Sequence, residues 1–97
     1  MSGTTRSSAG LDVRRRRLLF HAWHRGMREM DLLLGRFADA EIADLSDPEL
    51  DSLESLMELP DPLLFEWIAG TAPVPAEIDS LLVRRLIAFH NPDKSAS

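Results

Sequence analysis

Cysteine is absent from this 97-residue sequence, which excludes disulfide bonds and metal sites built from thiolates. Its absence is compatible with a reducing compartment. No apolar run approaches the ~18 residues that a membrane-spanning helix needs, and no signal-peptide pattern precedes the first predicted helix. These absences predict a cytoplasmic protein without membrane insertion.

Glycine is scarce, with five residues in the chain, and none of them belongs to a glycine-rich loop that could bind phosphate groups. The serines fall in the two tails, at a predicted helix start and at two helical positions that we expect to be exposed. No nucleophile or matched acid–base pair shows the pattern of a sheltered active site. The sequence therefore predicts a protein that is not an enzyme, and an enzyme whose site leaves no sequence signature is the alternative.

His21 and His24 are three residues apart, a spacing that can chelate a metal ion on a helix. No third ligand follows at a matching spacing, and the neighbouring arginines would repel a cation. We expect no metal site here.

The net charge of −5 is unevenly distributed. Residues 1–37 contain eight arginines against three acidic residues, a net charge of +5, whereas residues 38–97 contain three basic against 13 acidic residues, a net charge of −10. An acidic body repels phosphate groups, so this distribution favours an oriented encounter with another protein over broad nucleic-acid binding.

The apolar residues recur at helical spacing, and no strand-like alternation is present. The sequence predicts an all-α fold, a small five-helix bundle forming a single domain over residues 11–91, with a disordered N-terminal tail (residues 1–10) and a C-terminal tail (residues 92–97). The predicted helices cover about residues 12–24 and 28–44, a third between Ser46 and Pro60, a fourth capped by Asp61 and stopped by Gly70, and a fifth ending near His90. Gly35, inside the second helix, predicts a close approach of a neighbouring helix.

We expect each helix to bury one apolar stripe. The predicted core residues are Leu19, Phe20, Ala22, Trp23, Met30, Leu33, Leu34, Phe37, Ala38, Leu50, Leu53, Met57, Leu63, Leu64, Trp67, Ile68, Ile78, Leu81, Leu82, Leu86 and Phe89.

The connection between the first two helices has an unusual density of charge. We call it the charged corner, and it comprises Arg25, Gly26, Met27, Arg28, Glu29, Asp31 and Leu32. As a purely structural element, Gly26 would take a left-handed conformation and close the first helix. Glu29 and Asp31 would then lie in the first turn of the second helix, where the helix dipole favours negative charge. A structural role therefore explains every residue of the corner.

The same residues also resemble a known motif. Arg25-Gly26-x-x-Glu29, followed by Asp31 and an apolar run, is similar to the hallmark of the bacterial FAD assembly factor SdhE and its mitochondrial counterpart, a succinate dehydrogenase assembly factor. The resemblance covers about residues 16–89 and includes the Asp-Pro start of an aromatic helix at Asp61.

This resemblance implies a function. Proteins of that family bind the flavoprotein subunit of succinate dehydrogenase, and in bacteria that of fumarate reductase, and promote covalent attachment of FAD to a histidine of the subunit. It further implies a partner-binding surface at the charged corner, and FAD held by the client protein and not stably by this chain. We expect the free protein to be monomeric, although the sequence carries no signal for its oligomeric state.

An alternative function, nucleic-acid binding, depends on the four consecutive arginines from Arg14 to Arg17. They could serve a helix-turn-helix module that binds nucleic acid. Such a module needs base-reading side chains along the helix after the turn. Only Arg28 and Arg36 qualify there, among several acidic residues, so the arginine run favours a solvated helix face.

Overall fold

A computed structural model describes residues 10–91 of the chain. It contains α1 (Val13–Trp23), α2 (Arg28–Glu41), a short 3₁₀ helix (Ile42–Asp44), α3 (Asp47–Met57), α4 (Asp61–Ala69) and α5 (Leu81–His90). No strand occurs between residues 10 and 91, and the all-α prediction with five α-helices is confirmed. Residues 1–9 and 92–97, which make up almost all of the two predicted tails, lie outside the described residues.

Close contacts divide the chain between Ser46 and Asp47 into two compact units. The first unit contains α1, α2 and the 3₁₀ helix, and the second contains α3, α4 and α5. The domain extent given above, residues 11–91, stays a prediction.

In the first unit, α1 and α2 pack against each other through Trp23 and Gly35. A β-carbon built on Gly35 would lie within 3.0 Å of three atoms of the Trp23 indole ring, a distance that real β-carbons do not show. The indole itself is 6% exposed, and its Nε1–H donates to the Asp39 carboxylate over 3.1 Å. The close approach predicted at Gly35 is therefore confirmed, and the partner is the indole of the preceding helix.

Arg15 joins the start of α1 to the end of the 3₁₀ helix. Its Nε donates to the carbonyl oxygen of Ile42 over 2.9 Å, and a terminal nitrogen donates to that of Leu45 over 2.6 Å. Asp12 caps α1 by accepting the backbone N–H of Arg15 over 2.8 Å, and also pairs with the Arg15 guanidinium. One side chain therefore satisfies carbonyl groups that the end of a helix leaves without partners.

In the second unit, α5 packs against both α3 and α4. Arg85 of α5 pairs with Glu49 of α3 over 3.1 Å, and the Asn91 side chain donates to the Ile68 carbonyl at the end of α4 over 2.8 Å. Gly70 ends α4 with a φ of +81°, as its position predicted. The predicted cap at Asp61 is wrong, because Asp61 is already helical and Pro60 takes the cap position.

Several core predictions are wrong in the same way. The residues predicted as buried and found exposed are Phe20 (57%), Leu63 (44%), Leu81 (71%) and Phe89 (38%). Leu33, Met57 and Ile78 are half-buried, and the core gains Leu18, Ile42, Leu45, Leu56 and Val83. In α1, α3 and α5 a nearby apolar residue is buried instead (Leu18, Leu56 and Val83). Where apolar residues are close in sequence, the helical period alone does not say which one turns inward.

Candidate functional site

The charged corner begins where α1 ends. The last turn of α1 is closed by His24, whose backbone N–H donates to the His21 carbonyl over 3.2 Å. The prediction that Gly26 performs this closure is wrong, because Gly26 lies two residues further along the chain. It belongs to the short connection that leads into α2.

Gly26 redirects the chain between the two helices. Its φ is +96°, a conformation that side chains with a β-carbon rarely adopt. A β-carbon built there would meet nothing within 4 Å. Glycine is required at this position by the backbone angle, and the space above it is open.

Asp31 holds the connection in shape. Its side chain accepts the backbone N–H of Arg25 over 2.6 Å, reaching back across the turn from the first turn of α2. Its own backbone N–H donates to the Met27 carbonyl over 2.9 Å, the first bond of the helix. The predicted first-turn position of Asp31 is confirmed, and its carboxylate forms a hydrogen bond that spans the corner.

Arg28 and Glu29 face outward at the start of α2. Both are exposed, and neither side chain forms a hydrogen bond or ion pair with any residue in the range 10–91. Arg25, Met27 and Leu32 are half-buried. The corner therefore brings together one basic and one acidic side chain available to a partner, beside an open glycine. Partner binding by its seven residues stays a prediction.

Phe20 and His24 form an aromatic pair directly before the corner, and the sequence did not predict it. Their rings stack with centroids 3.9 Å apart and planes 17° apart. The His24 Nδ1 lies 2.7 Å from the Phe20 carbonyl oxygen, one helical turn earlier. The spacing of four residues is the signal that could have found the pair, because such residues lie one above the other on a helix. An exposed aromatic surface thus adjoins the corner.

The arginine run does not form one continuous basic patch. Arg15 is directed toward the carbonyl groups described above, Arg14 is half-buried, and only Arg16 and Arg17 are exposed. This arrangement weakens the nucleic-acid interpretation.

Within residues 10–91, no group of three or more His, Asp or Glu side chains lies close enough together to hold a metal ion. None of the helices between residues 10 and 91 is long and apolar enough to cross a membrane.

Comparison with known proteins identifies the family. The sequence model of a family described as "Flavinator of succinate dehydrogenase" matches residues 16–90, which include the whole charged corner. The chain is 42% identical over 77 residues to the FAD assembly factor SdhE of Acetobacter pasteurianus, covering 79% of this chain and 71% of the relative.

Mitochondrial relatives match as well. The chain is 40% identical over 76 residues to succinate dehydrogenase assembly factor 2 of Dictyostelium discoideum, covering 78% of this chain and 53% of the relative. It is 31% identical over 86 residues to the protein of the same name in Caenorhabditis elegans, covering 87% of this chain and 72% of the relative. The chain spans about half the length of the Dictyostelium relative. The chain therefore belongs to the family of flavinators of succinate dehydrogenase.

Proposed function

We propose that this protein is an FAD assembly factor that binds the flavoprotein subunit of succinate dehydrogenase and promotes covalent attachment of FAD to it. The observation that carries the proposal is the charged corner. A turn held by the Asp31 carboxylate presents the outward side chains of Arg28 and Glu29 beside Gly26. The names of the bacterial and mitochondrial relatives support the same function.

Each part of the corner has a distinct role in this proposal. The open space above Gly26 lets the backbone of the client approach closely. Arg28 and Glu29, the two exposed side chains, supply charge-assisted hydrogen bonds of defined direction, which are stronger than neutral ones. Asp31 holds the backbone of the turn that precedes them. The exposed Phe20 ring extends the contact with apolar area.

The bond-forming chemistry belongs to FAD and to the client histidine that receives it. This chain contributes binding that favours one client conformation over others. A conformation in which the reacting groups are aligned reacts faster, because the cost of orienting them is met before the reaction. In this proposal the protein holds no FAD of its own and has no catalytic residues.

We extend the proposal to fumarate reductase as a second client, to action in the bacterial cytoplasm and to a monomeric free protein. The Acetobacter relative supports the bacterial setting. Fumarate reductase is an analogous flavoprotein client in the family that the corner motif resembles.

The decisive experiment measures stability and function on the same variant. Glu29→Ala removes an exposed first-turn charge, which contributes only ~0.3–1 kcal/mol to folding. We expect the melting temperature to change little and the flavin fluorescence of the denatured client subunit to be lost in a gel. The matched control is Glu66→Ala, an exposed glutamate of α4 that has no side-chain partner within residues 10–91.

Wild-type flavin fluorescence with Glu29→Ala would contradict the assignment of this residue to the client surface. Equal loss with both variants would show that the effect is not specific to the corner. An unfolded Glu29→Ala protein would contradict the premise that the Glu29 side chain contributes little to folding stability.

A further inference from the structure

A cleft in the second unit is separate from the charged corner. It lies between α3 and the turn that precedes α5, and it encloses about 440 Å³. Every residue that lines it belongs to the second unit. The volume falls within the range of about 300–1,000 Å³ typical of ligand pockets, so the cleft admits a few side chains and not a folded domain.

The floor of the cleft is apolar and its rim is acidic. Leu56, Leu59, Ile78 and Val83 supply the apolar lining. Asp51, Glu77 and Asp79 supply three carboxylates, and the remaining lining residues are the serines Ser52, Ser55 and Ser80. A groove of this composition suits a segment that carries both apolar and positively charged side chains.

The negative charge of the rim is only partly compensated. Asp79 pairs with Arg84 over 2.8 Å, and hydrogen bonding to this guanidinium lowers the pKa of the Asp79 carboxyl, which therefore stays ionised at neutral pH. Glu77 is exposed and forms no ion pair or hydrogen bond with residues 10–91. Residues 47–91 as a whole contain nine acidic residues against two arginines, so the field around the cleft also attracts cations.

We propose that this cleft binds a segment of the client flavoprotein that carries both basic and apolar side chains, as a docking point distinct from the charged corner. The inference rests on the proposed function for the nature of the client. The corner lies in the chain's basic part and the cleft in its acidic part. A basic client segment complements the acidic residues of the cleft, and this charge complementarity favours binding there over binding to the arginine-rich first 37 residues.

The test compares two charge reversals on the full chain. The probe is the purified flavoprotein subunit of succinate dehydrogenase from the same organism, prepared without covalent flavin. Glu77→Arg reverses a charge at the cleft, and Glu66→Arg makes the same net change on α4 outside it. We expect Glu77→Arg to raise the Kd by at least about tenfold at low salt and Glu66→Arg to raise it by less than about twofold, with the difference shrinking as salt screens the contact.

Equal increases in Kd with the two charge reversals would overturn the proposal that the client binds in the cleft, because they would show only a long-range effect of net charge. Unchanged affinity with Glu77→Arg would also overturn it. If the wild-type chain fails to bind the subunit at all, the proposed function fails together with the cleft. If the wild type binds and Glu29→Ala weakens binding while Glu77→Arg does not, the cleft alone fails.

A second measurement identifies the occupant directly. A benzophenone amino acid in place of Ser55, an exposed residue of the cleft lining, would cross-link to whatever occupies it. A cross-linked client peptide containing arginine or lysine beside apolar residues supports the proposal. A cross-link to an acidic client peptide, or to a second copy of this chain, overturns it.

Discussion

Replacing Gly35 with alanine sets two effects of opposite sign against each other. At an ordinary position inside a helix, this change stabilises by about 1 kcal/mol, because glycine has the lower helix propensity. Here the new methyl group would lie within 3.0 Å of three atoms of the Trp23 indole. The ring is buried, and its Nε1–H is bonded to Asp39, so it cannot move without a cost.

The steric cost exceeds the gain in propensity. Inserting a methyl group into a close-packed contact typically costs about 1–3 kcal/mol, and the rigid indole places this site at the upper end. Subtracting the propensity gain leaves a net loss of about 1–2 kcal/mol in the free energy of unfolding. Each kcal/mol lowers the melting temperature of a domain of this size by about 4–8 °C.

Thermal melting followed by circular dichroism measures the change. The pair Arg36→Ala and Arg36→Gly, at an exposed position inside the same helix, is the control that reports propensity alone. In a Trp23→Leu background, Gly35→Ala should become neutral or stabilising, because the indole is gone. A rise in melting temperature for Gly35→Ala in the wild-type background would refute the argument that the indole limits the space.

Three further predictions concern single contacts. Gly26→Ala should cost about 1–2 kcal/mol of folding stability in chemical denaturation because its φ is positive, whereas asparagine there should cost less; equal costs would contradict a conformational cause. Arg15→Met should lower the free energy of unfolding by about 1–3 kcal/mol in the same measurement, because it removes two charged hydrogen bonds to backbone carbonyl groups. The control Arg17→Met, at an exposed position, should change it by less than about 0.5 kcal/mol. A hydrogen bond from the Arg15 backbone N–H lowers the pKa of Asp12 from 3.8, and one from the Arg84 side chain lowers the pKa of Asp79 from the same value. The contribution of these carboxylates to stability is therefore complete above that pH and is lost as the pH falls below about 4. Melting temperatures across pH 2–7 should show this loss, and asparagine at both positions should reduce it.

The helices themselves were well predicted from the sequence, because their signals are local. Gly70 ends α4, and α1 follows the expected boundaries within about a residue. The second helix was predicted to reach residue 44, and the chain tightens there into a 3₁₀ turn after Glu41. Arg15 donates hydrogen bonds to the Ile42 and Leu45 carbonyl groups of that turn. Those bonds span about 30 residues of sequence, and no local pattern reports them.

The sequence predicts the position of the charged corner between α1 and α2, and only part of its structure. The sequence identifies Gly26 and Glu29 through the motif, and the positive φ of Gly26 agrees with that expectation. The hydrogen bond from Arg25 to Asp31 and the stack of Phe20 on His24 were not foreseen. The sequence assigns Phe20 to the core because hydrophobicity alone does not distinguish a buried ring from an exposed one.

The hydrogen bond between the Arg25 backbone and the Asp31 carboxylate has a consequence for the thermodynamics of association. Ordering a flexible loop costs conformational entropy at the moment of binding, and that cost reduces affinity. In this chain the loop is ordered before any encounter, because a carboxylate and a glycine backbone angle already determine its path. If the corner binds the client as proposed, substituting Asp31 would weaken that binding mainly through a less favourable binding entropy, whether or not Asp31 itself contacts the client.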